Sequence, residues 1–295
     1  MNEISQRSRM EKIRPYLFIM PALLFLGVFV IYPIIDLIIR SFQNWNLVNP
    51  PTWAGLKNYQ IIFRKRDFLD ALVNTVIYTI FSVTIQLALS IVIATWLKKS
   101  KWMNNFARTA MFMPHIISLL SVAMVWMWIM DEKSGLLNML LSWFNIPGLR
   151  WLQSSDTAMM SIIIVSIWKS LGYHTMIVYA ALQGVPTEMY EAADLDNAGR
   201  IRTFFKITLP MISPQTFMLL ITMTIGSFKV FETIRIMTGG GPGSATEVLV
   251  YYIYEQAFYY QKVGLASAAG VVLLLIVSVL TAVYFLALSK KVHYQ

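Results

Sequence analysis

The stretch Gly184-Val-Pro-Thr-Glu-Met-Tyr-Glu-Ala-Ala-Asp-Leu-Asp-Asn-Ala-Gly-Arg-Ile-Arg-Thr-Phe-Phe-Lys-Ile-Thr-Leu-Pro210 is too polar to cross a bilayer and too patterned to be slack connection. Pro186 and Thr187 open it with helix-start chemistry, and Glu188 and Glu191 place negative charge near a positive helix end. Tyr190, Ala193, Leu195 and Ala198 then predict a short helix with one apolar face. Asn197 and Gly199 tolerate left-handed backbone and so end or bend it. A second apolar helical stretch begins at Ile201 and runs into Leu209-Pro210. The whole reads as a short helix between two longer ones, with an apolar face that seeks a partner.

Working outward, the chain around it is made for lipid. Of 295 residues, 57% are hydrophobic and only 13% charged, against roughly a quarter charged in soluble domains. A bilayer core needs roughly 20 apolar helical residues to cross. Six uncharged or nearly uncharged stretches of that length appear, at 16–39, 71–97, 109–130, 158–182, 207–231 and 266–289. The prediction is an all-α polytopic membrane protein with about six transmembrane helices, each read as continuous, and with the polar helix between spans four and five. Residues 1–15 form an N-terminal segment and 16–295 one membrane domain. The start resembles a signal peptide, but the charge-free run 15–35 is long and no small-residue cleavage site follows, which predicts a retained span.

The net charge of +9 is distributed as topology requires, which leaves nucleic acid without a claim on it. With the N-terminus inside, inside segments hold Arg7, Arg9, Lys12 and Arg14, then Lys98, Lys99, Lys101 and Arg108, then Arg200, Arg202 and Lys206, then Lys290 and Lys291. The bias predicts both termini cytoplasmic, despite the Arg64-Lys65-Arg66 cluster in the first outer loop. There are no cysteines, and His115, His174 and His293 are scattered without ligand spacing, so neither thiolate chemistry nor a metal site is expected.

Glu191-Ala192-Ala193, followed at the right distance by Ile207 and Leu209-Pro210, resembles the EAA motif of permease subunits of binding-protein-dependent ABC importers. The resemblance runs over essentially the whole chain. It takes in Pro21, Pro33 and Ser41-Phe42, then Gly55-Leu-Lys-Asn-Tyr59, Asn74-Thr75 and Trp151-Leu152. It ends on Met237-Thr-Gly-Gly-Gly-Pro242, a loop of the carbohydrate branch. The family's usual glycine falls at Asn197, the non-glycine residue best suited to positive φ. The resemblance implies a type I importer permease in a bacterial inner membrane, with its coupling segment at 184–210. Glu188, Glu191, Ala192, Ala193, Asp196, Asn197 and Ala198 would then face a cytoplasmic ABC ATPase dimer. The implied partners further include a second, non-identical permease, an extracytoplasmic solute-binding protein and a carbohydrate substrate. ATP and magnesium would be used by the partner ATPase, this chain binding no cofactor and having no enzymatic activity.

Ionisable groups at membrane depth usually face a cavity or a partner. Lys169 in the fourth span and Lys229 in the fifth stand out for this reason, accompanied by Ser166, Ser170, Tyr173 and Ser227. By resemblance these six fall near the translocation pathway, where hydroxyls and aromatic faces suit sugars and two lysines suit an acidic one. The plainer reading pairs Lys229 with Glu232 at i, i+3 and lets Lys169 snorkel or meet a carboxylate on a partner, leaving a neutral oligosaccharide as cargo. Gly239-Gly240-Gly241 lacks the following Lys-Ser/Thr of a phosphate loop and reads as a tight turn. A stand-alone secondary transporter would favour inverted repeats or broken helices, and neither is apparent in the sequence. A membrane enzyme would need a converging catalytic set, which the spans do not offer. An amino-acid importer permease would lack the Gly-Gly-Pro loop.

Reporter fusions check the topology. Those after Lys99 and Arg202 are expected to read as cytoplasmic, and those near Gly148 and Gly243 as extracytoplasmic. An inverted pattern would overturn the charge-bias argument.

Overall fold

A computed structural model describes residues 2–98 and 102–288. Lys99, Lys101, Ser289, Lys290, Lys291 and His293 lie outside the described residues, as do the side chains of Arg7, Arg9 and Lys12. The chain forms two compact units, one of residues 1–64 with 253–272 and one of 65–252 with 273–295.

In the first unit, α1 (Asn2–Leu26), a π-helical stretch Gly27–Ile31 and α2 (Tyr32–Ser41) join end to end. They make one apolar span, Arg14–Ser41. Its large side chains, among them Phe18, Phe25 and Phe29, are exposed, as suits a helix surrounded by lipid. Asp36 and Arg40 pair one turn apart at its end, and the Arg40 guanidinium sits 4.2 Å from the Trp45 ring. A short antiparallel ribbon, β1 (Gln43–Asn44) with β2 (Thr52–Trp53), and α3 (Lys57–Arg64) follow. Asn58 ties them down by donating to the carbonyls of Ser41 and Gln43, both at 2.8 Å.

The second unit is built on two long helices, α4 (Arg66–Trp96) and α8 (Ser155–Gln183). Many of their buried positions are small or hydroxylated: Ala71, Thr75, Ser82 and Ser90 on α4, Ala158, Ser161, Gly172 and Thr175 on α8. Small residues let helix backbones approach where no hydrophobic force between helices exists. Gly172 is the sharpest case, since a Cβ there would overlap the Met111 carbonyl on α5 (Trp102–Ile116). Below it Val83, Val178, Leu182, Ile212 and Leu219 form a buried apolar cluster.

Among the described residues four helices are continuous and apolar enough to cross a membrane: Arg14–Ser41, Arg66–Trp96, Ser155–Gln183 and Val263–Leu286. The third and fifth predicted spans are instead broken, which corrects the expectation of unbroken helices. Trp102–Ile116 and Leu119–Ile129, the latter α6, meet at 102°, and Arg200–Met211 and Ser213–Phe228, the latter α12, meet at 69°. Counting each bent pair as one span gives six. Proline supplies the local cause, because it removes a donor and its ring crowds the preceding turn. Pro114 lies inside α5, and Pro210 and Pro214 flank the break at Ile212.

A break at membrane depth leaves carbonyls without helical donors. At the first break they find Lys169, whose Nζ donates to the carbonyls of Pro114 and His115, both at 3.3 Å, and of Ile117 at 2.8 Å. The Tyr173 ring, one turn further along α8, stacks on His115 with centroids 4.5 Å apart. Lys169→Met is therefore expected to destabilise the folded chain by about 1–3 kcal/mol, the cost of leaving such acceptors unpaired. Lys169→Arg keeps donors and should recover most of it. The check is the melting temperature in detergent; a Met variant as stable as the native chain would contradict the capping role.

Candidate functional site

The polar segment after α8 folds as predicted in kind and differently in detail. The helix, α9, spans Thr187–Leu195, with Pro186 at its N-cap and Glu188 in its first turn. Asn197 takes the left-handed conformation at φ 51°, whereas Gly199 does not and starts the next helix, α10 (Arg200–Thr203). Around Asn197 the amides close back on the helix: Asn197 donates to the Asp194 carbonyl at 3.0 Å and Ala198 to the Ala193 carbonyl at 2.9 Å. This paired closure is the Schellman stop. It explains why Asn serves where glycine is usual.

The predicted apolar face splits. Tyr190 and Ala193 turn inward, Ala193 being only 4% exposed, while Leu195 points outward at 86%. Leu195 lies five residues from Tyr190, a helical angle that sets it away from the inner face. The outward surface therefore carries Glu188, Glu191, Ala192, Leu195 and Asp196, with Asn197 beside them and Ala198 half-buried. A mixed surface of carboxylates with two exposed apolar residues, Met189 and Leu195, is suited to a protein groove rather than to lipid.

The six residues singled out in the fourth and fifth spans do not share one place. Ser166, Ser170 and Ser227 come together in a cavity of about 240 Å³, with Tyr78, Ser82, Gln86, His174 and Thr222 among the other lining groups. Gln86 Nε2 lies 2.6 Å from Ser170 Oγ, to which it donates, and 2.7 Å from His174 Nδ1. Ser170 donates onward to the Ser166 carbonyl at 2.6 Å, and Ser227 donates to Thr79 Oγ1 at 3.1 Å. Tyr173 lines a neighbouring cleft of about 490 Å³ with His174, Gln215, Met218 and Thr222. Lys169 and Lys229 line neither. Lys169 is occupied at the broken span, and Lys229 is the exposed C-cap residue of α12. Among the described residues no ion pair joins Lys229 to Glu232, so the i, i+3 pairing is not formed; the helix ends between them and α13 (Glu232–Met237) begins at Glu232.

Gln86, His174, Tyr78 and Thr222 were absent from the predicted set. Gln86 and His174 carry a signal, as an amide and an imidazole within apolar runs at membrane depth. His174 lies four residues after Ser170 and shares its face, but pairing it with Gln86 needs the packing of α4 on α8. No group of three or more metal-ligating side chains occurs among the described residues.

The glycine loop is tied to a distant part of the chain. Gly239, Gly240, Gly243 and Ser244 all have positive φ, and a Cβ at Gly240 would run into the Tyr251 ring. Asn74 donates to the carbonyls of Ser244 and Glu247, both at 3.0 Å, and Thr75 Oγ1 accepts from the Leu249 amide at 2.9 Å. Asn74 and Thr75 thus hold the segment that directly follows Met237–Pro242.

Comparison with known proteins agrees with this arrangement. Residues 86–294 match the family described as binding-protein-dependent transport system inner membrane component. The chain is 40% identical to the probable ABC transporter permease protein YurN of Bacillus subtilis (strain 168), over 90% of this chain and 92% of that one. It is 34% identical to the sn-glycerol-3-phosphate transport system permease protein UgpA of Escherichia coli (strain UTI89 / UPEC), over 95% and 96%. The fold is that of a solved chain from a bacterial alginate ABC transporter in complex with alginate pentasaccharide-bound periplasmic protein. The two agree with a TM-score of 0.85 at 22% identity, covering 96% of each chain. The polar helix between the fourth and fifth spans, the glycine loop held by Asn74 and Thr75, and these matches together place the chain in the binding-protein-dependent inner-membrane transport family, as a multi-pass permease subunit of a carbohydrate-type ABC importer.

Proposed function

We propose that the chain forms half of the translocation pathway of an ATP-driven sugar importer and couples to its ATPase through α9. The observation that carries this is the division of α9 into two faces. Tyr190 and Ala193 anchor it on the helices it connects, while Glu188, Glu191, Ala192, Leu195 and Asp196 are presented outward. A nine-residue helix held this way is a rigid protrusion between two spans rather than a solvated loop. Its outward face suits a cytoplasmic ABC ATPase dimer, in which ATP and magnesium would be used, this chain binding none. The other half of the pathway would come from a second, non-identical permease, and cargo would be delivered by an extracytoplasmic solute-binding protein. Both termini then lie in the cytoplasm of a bacterium, with the chain in its inner membrane.

The cavity of Ser166, Ser170 and Ser227, extended by Gln86 and His174, offers neutral donors and acceptors to the hydroxyls of a carbohydrate. Tyr173 keeps one ring face on His115, so a sugar would meet its other face or its hydroxyl. We assign the cargo to acidic saccharides or sugar derivatives, with Lys229 as the charge contact and Lys169 positioning the cavity wall from the broken span. UgpA is named for a glycerol phosphate and the solved transporter for alginate, both anionic. The second reading, a neutral oligosaccharide, is favoured by the uncharged lining of the cavity itself.

Glu191→Ala and Ala193→Asp are expected to insert normally but to lose ATPase co-purification or transport-coupled hydrolysis. Native behaviour of both variants would remove the coupling assignment. For the cargo, Lys229→Met should lower uptake of a uronic-acid oligosaccharide roughly tenfold, the effect of about 1.4 kcal/mol, and leave a neutral one unchanged. Equal uptake of both by native and variant would favour the neutral reading.

A further inference from the structure

One side chain of α9 reaches the ends of three spans. The Tyr190 ring lies under the ammonium of Lys98, with Nζ 3.6 Å from the ring centroid, and Lys98 stands just past the end of α4. The Tyr190 hydroxyl is 3.3 Å from Thr208 Oγ1, and Thr208 closes the π-helical stretch Phe204–Thr208 that leads to the break in the fifth span. The flank of the ring packs on the cluster that contains Val178, Leu182 and Val185 from the end of the fourth span and Ile212 at the break. Tyr190 is half-buried and Thr208 is 5% exposed, so these contacts sit in a partly dehydrated setting where a cation over an aromatic face is strengthened.

α9 is joined covalently to the fourth and fifth spans only. Nothing in the chain's connectivity obliges the end of the second span to follow it. A push on a short helix also dissipates in its linkers unless packed side chains carry it onward. We propose that Tyr190 is the positioning residue that locks the ends of the second, fourth and fifth spans to α9, so that displacement of α9 moves them as one body. This rests on the reading of α9 as the coupling helix. Lys98 ties the end of α4 directly to α9, in addition to the apolar cluster that Ala94 of α4 shares with Val178 and Leu182 of α8. The Tyr190 hydroxyl recruits the fifth span through Thr208, on the α9 side of its bend.

The test uses the complex of the native chain with its partner subunits in nanodiscs. The chain contains no cysteine, so cysteines introduced for Val92 on α4 and Asp194 on α9 are its only labelling sites, both exposed. Spin-label distances are measured without nucleotide and after trapping with MgATP and vanadate. In the native background the distance between the labels should be single and the same in both states. Lys98→Met, which keeps the apolar stem and removes the cation, should shift or broaden it in the trapped state, and Lys98→Arg should restore it. A Lys98→Met distribution that superimposes on the native one in both states overturns the proposal. So does loss of ATPase from the Lys98→Met complex, which would make Lys98 part of the docking surface. A failure of the coupling reading itself is seen separately, in ATPase retained and transport intact with Glu191→Ala and Ala193→Asp.

Discussion

A peptide carbonyl released from its helix inside a bilayer has no water to turn to. Where the third span breaks, that constraint is met by a single ammonium, Lys169, which gathers the carbonyls of Pro114, His115 and Ile117. Much of the second unit is arranged around this clamp. Three residues on, Gly172 lets the α5 backbone pass close to α8, and Tyr173 seals the crossing by stacking on His115. The same helix then runs uninterrupted to Gln183, and three residues separate it from the next helical stretch, Thr187–Leu195. The residue that satisfies the broken span and the helix that leads to the proposed coupling surface are therefore parts of one rigid element.

The polar groups between α4, α8 and α12 are paired only in part. Gln86 lies between Ser170 and His174, and Ser227 is spent on Thr79, whereas the buried hydroxyls of Ser90 and Thr175 make no hydrogen bond. On the proposed function, the bonds between these walls are the ones that sugar hydroxyls would exchange with. Modest, exchangeable contacts suit a passage that must release what it admits. Lys169 and Lys229 stand outside that lining, Lys169 at the broken span and Lys229 at the exposed end of α12.

Sequence reading was strongest where local chemistry sufficed. The positions of the six apolar stretches, the short helix from Thr187 and its stop at Asn197 all follow from apolar run length, charge at a helix end and tolerance of positive φ. It was weakest where partners come from distant segments. Pro114, Pro210 and Pro214 were visible, yet a proline tells only that a helix is weakened. Whether it bends slightly or breaks by 102° depends on what receives the freed carbonyls. The receiver, Lys169, is legible in the sequence only as a charge within an apolar run, because an ammonium can serve an anion or a row of carbonyls equally well.

The sequence by itself determined the solvent of this protein, its helical nature, the place of the polar helix and the family to which it belongs, since each rests on residue type and short spacing. The tertiary structure decided the rest. It brought Gln86 to His174 and Asn74 to the glycine loop, turned Tyr190 inward and Leu195 outward, and committed Lys169 to the backbone. Those outcomes depend on which helix faces which. In a membrane that choice is made by close packing of small residues and by pairing of buried polar groups across segments, neither of which leaves a periodic trace along the chain.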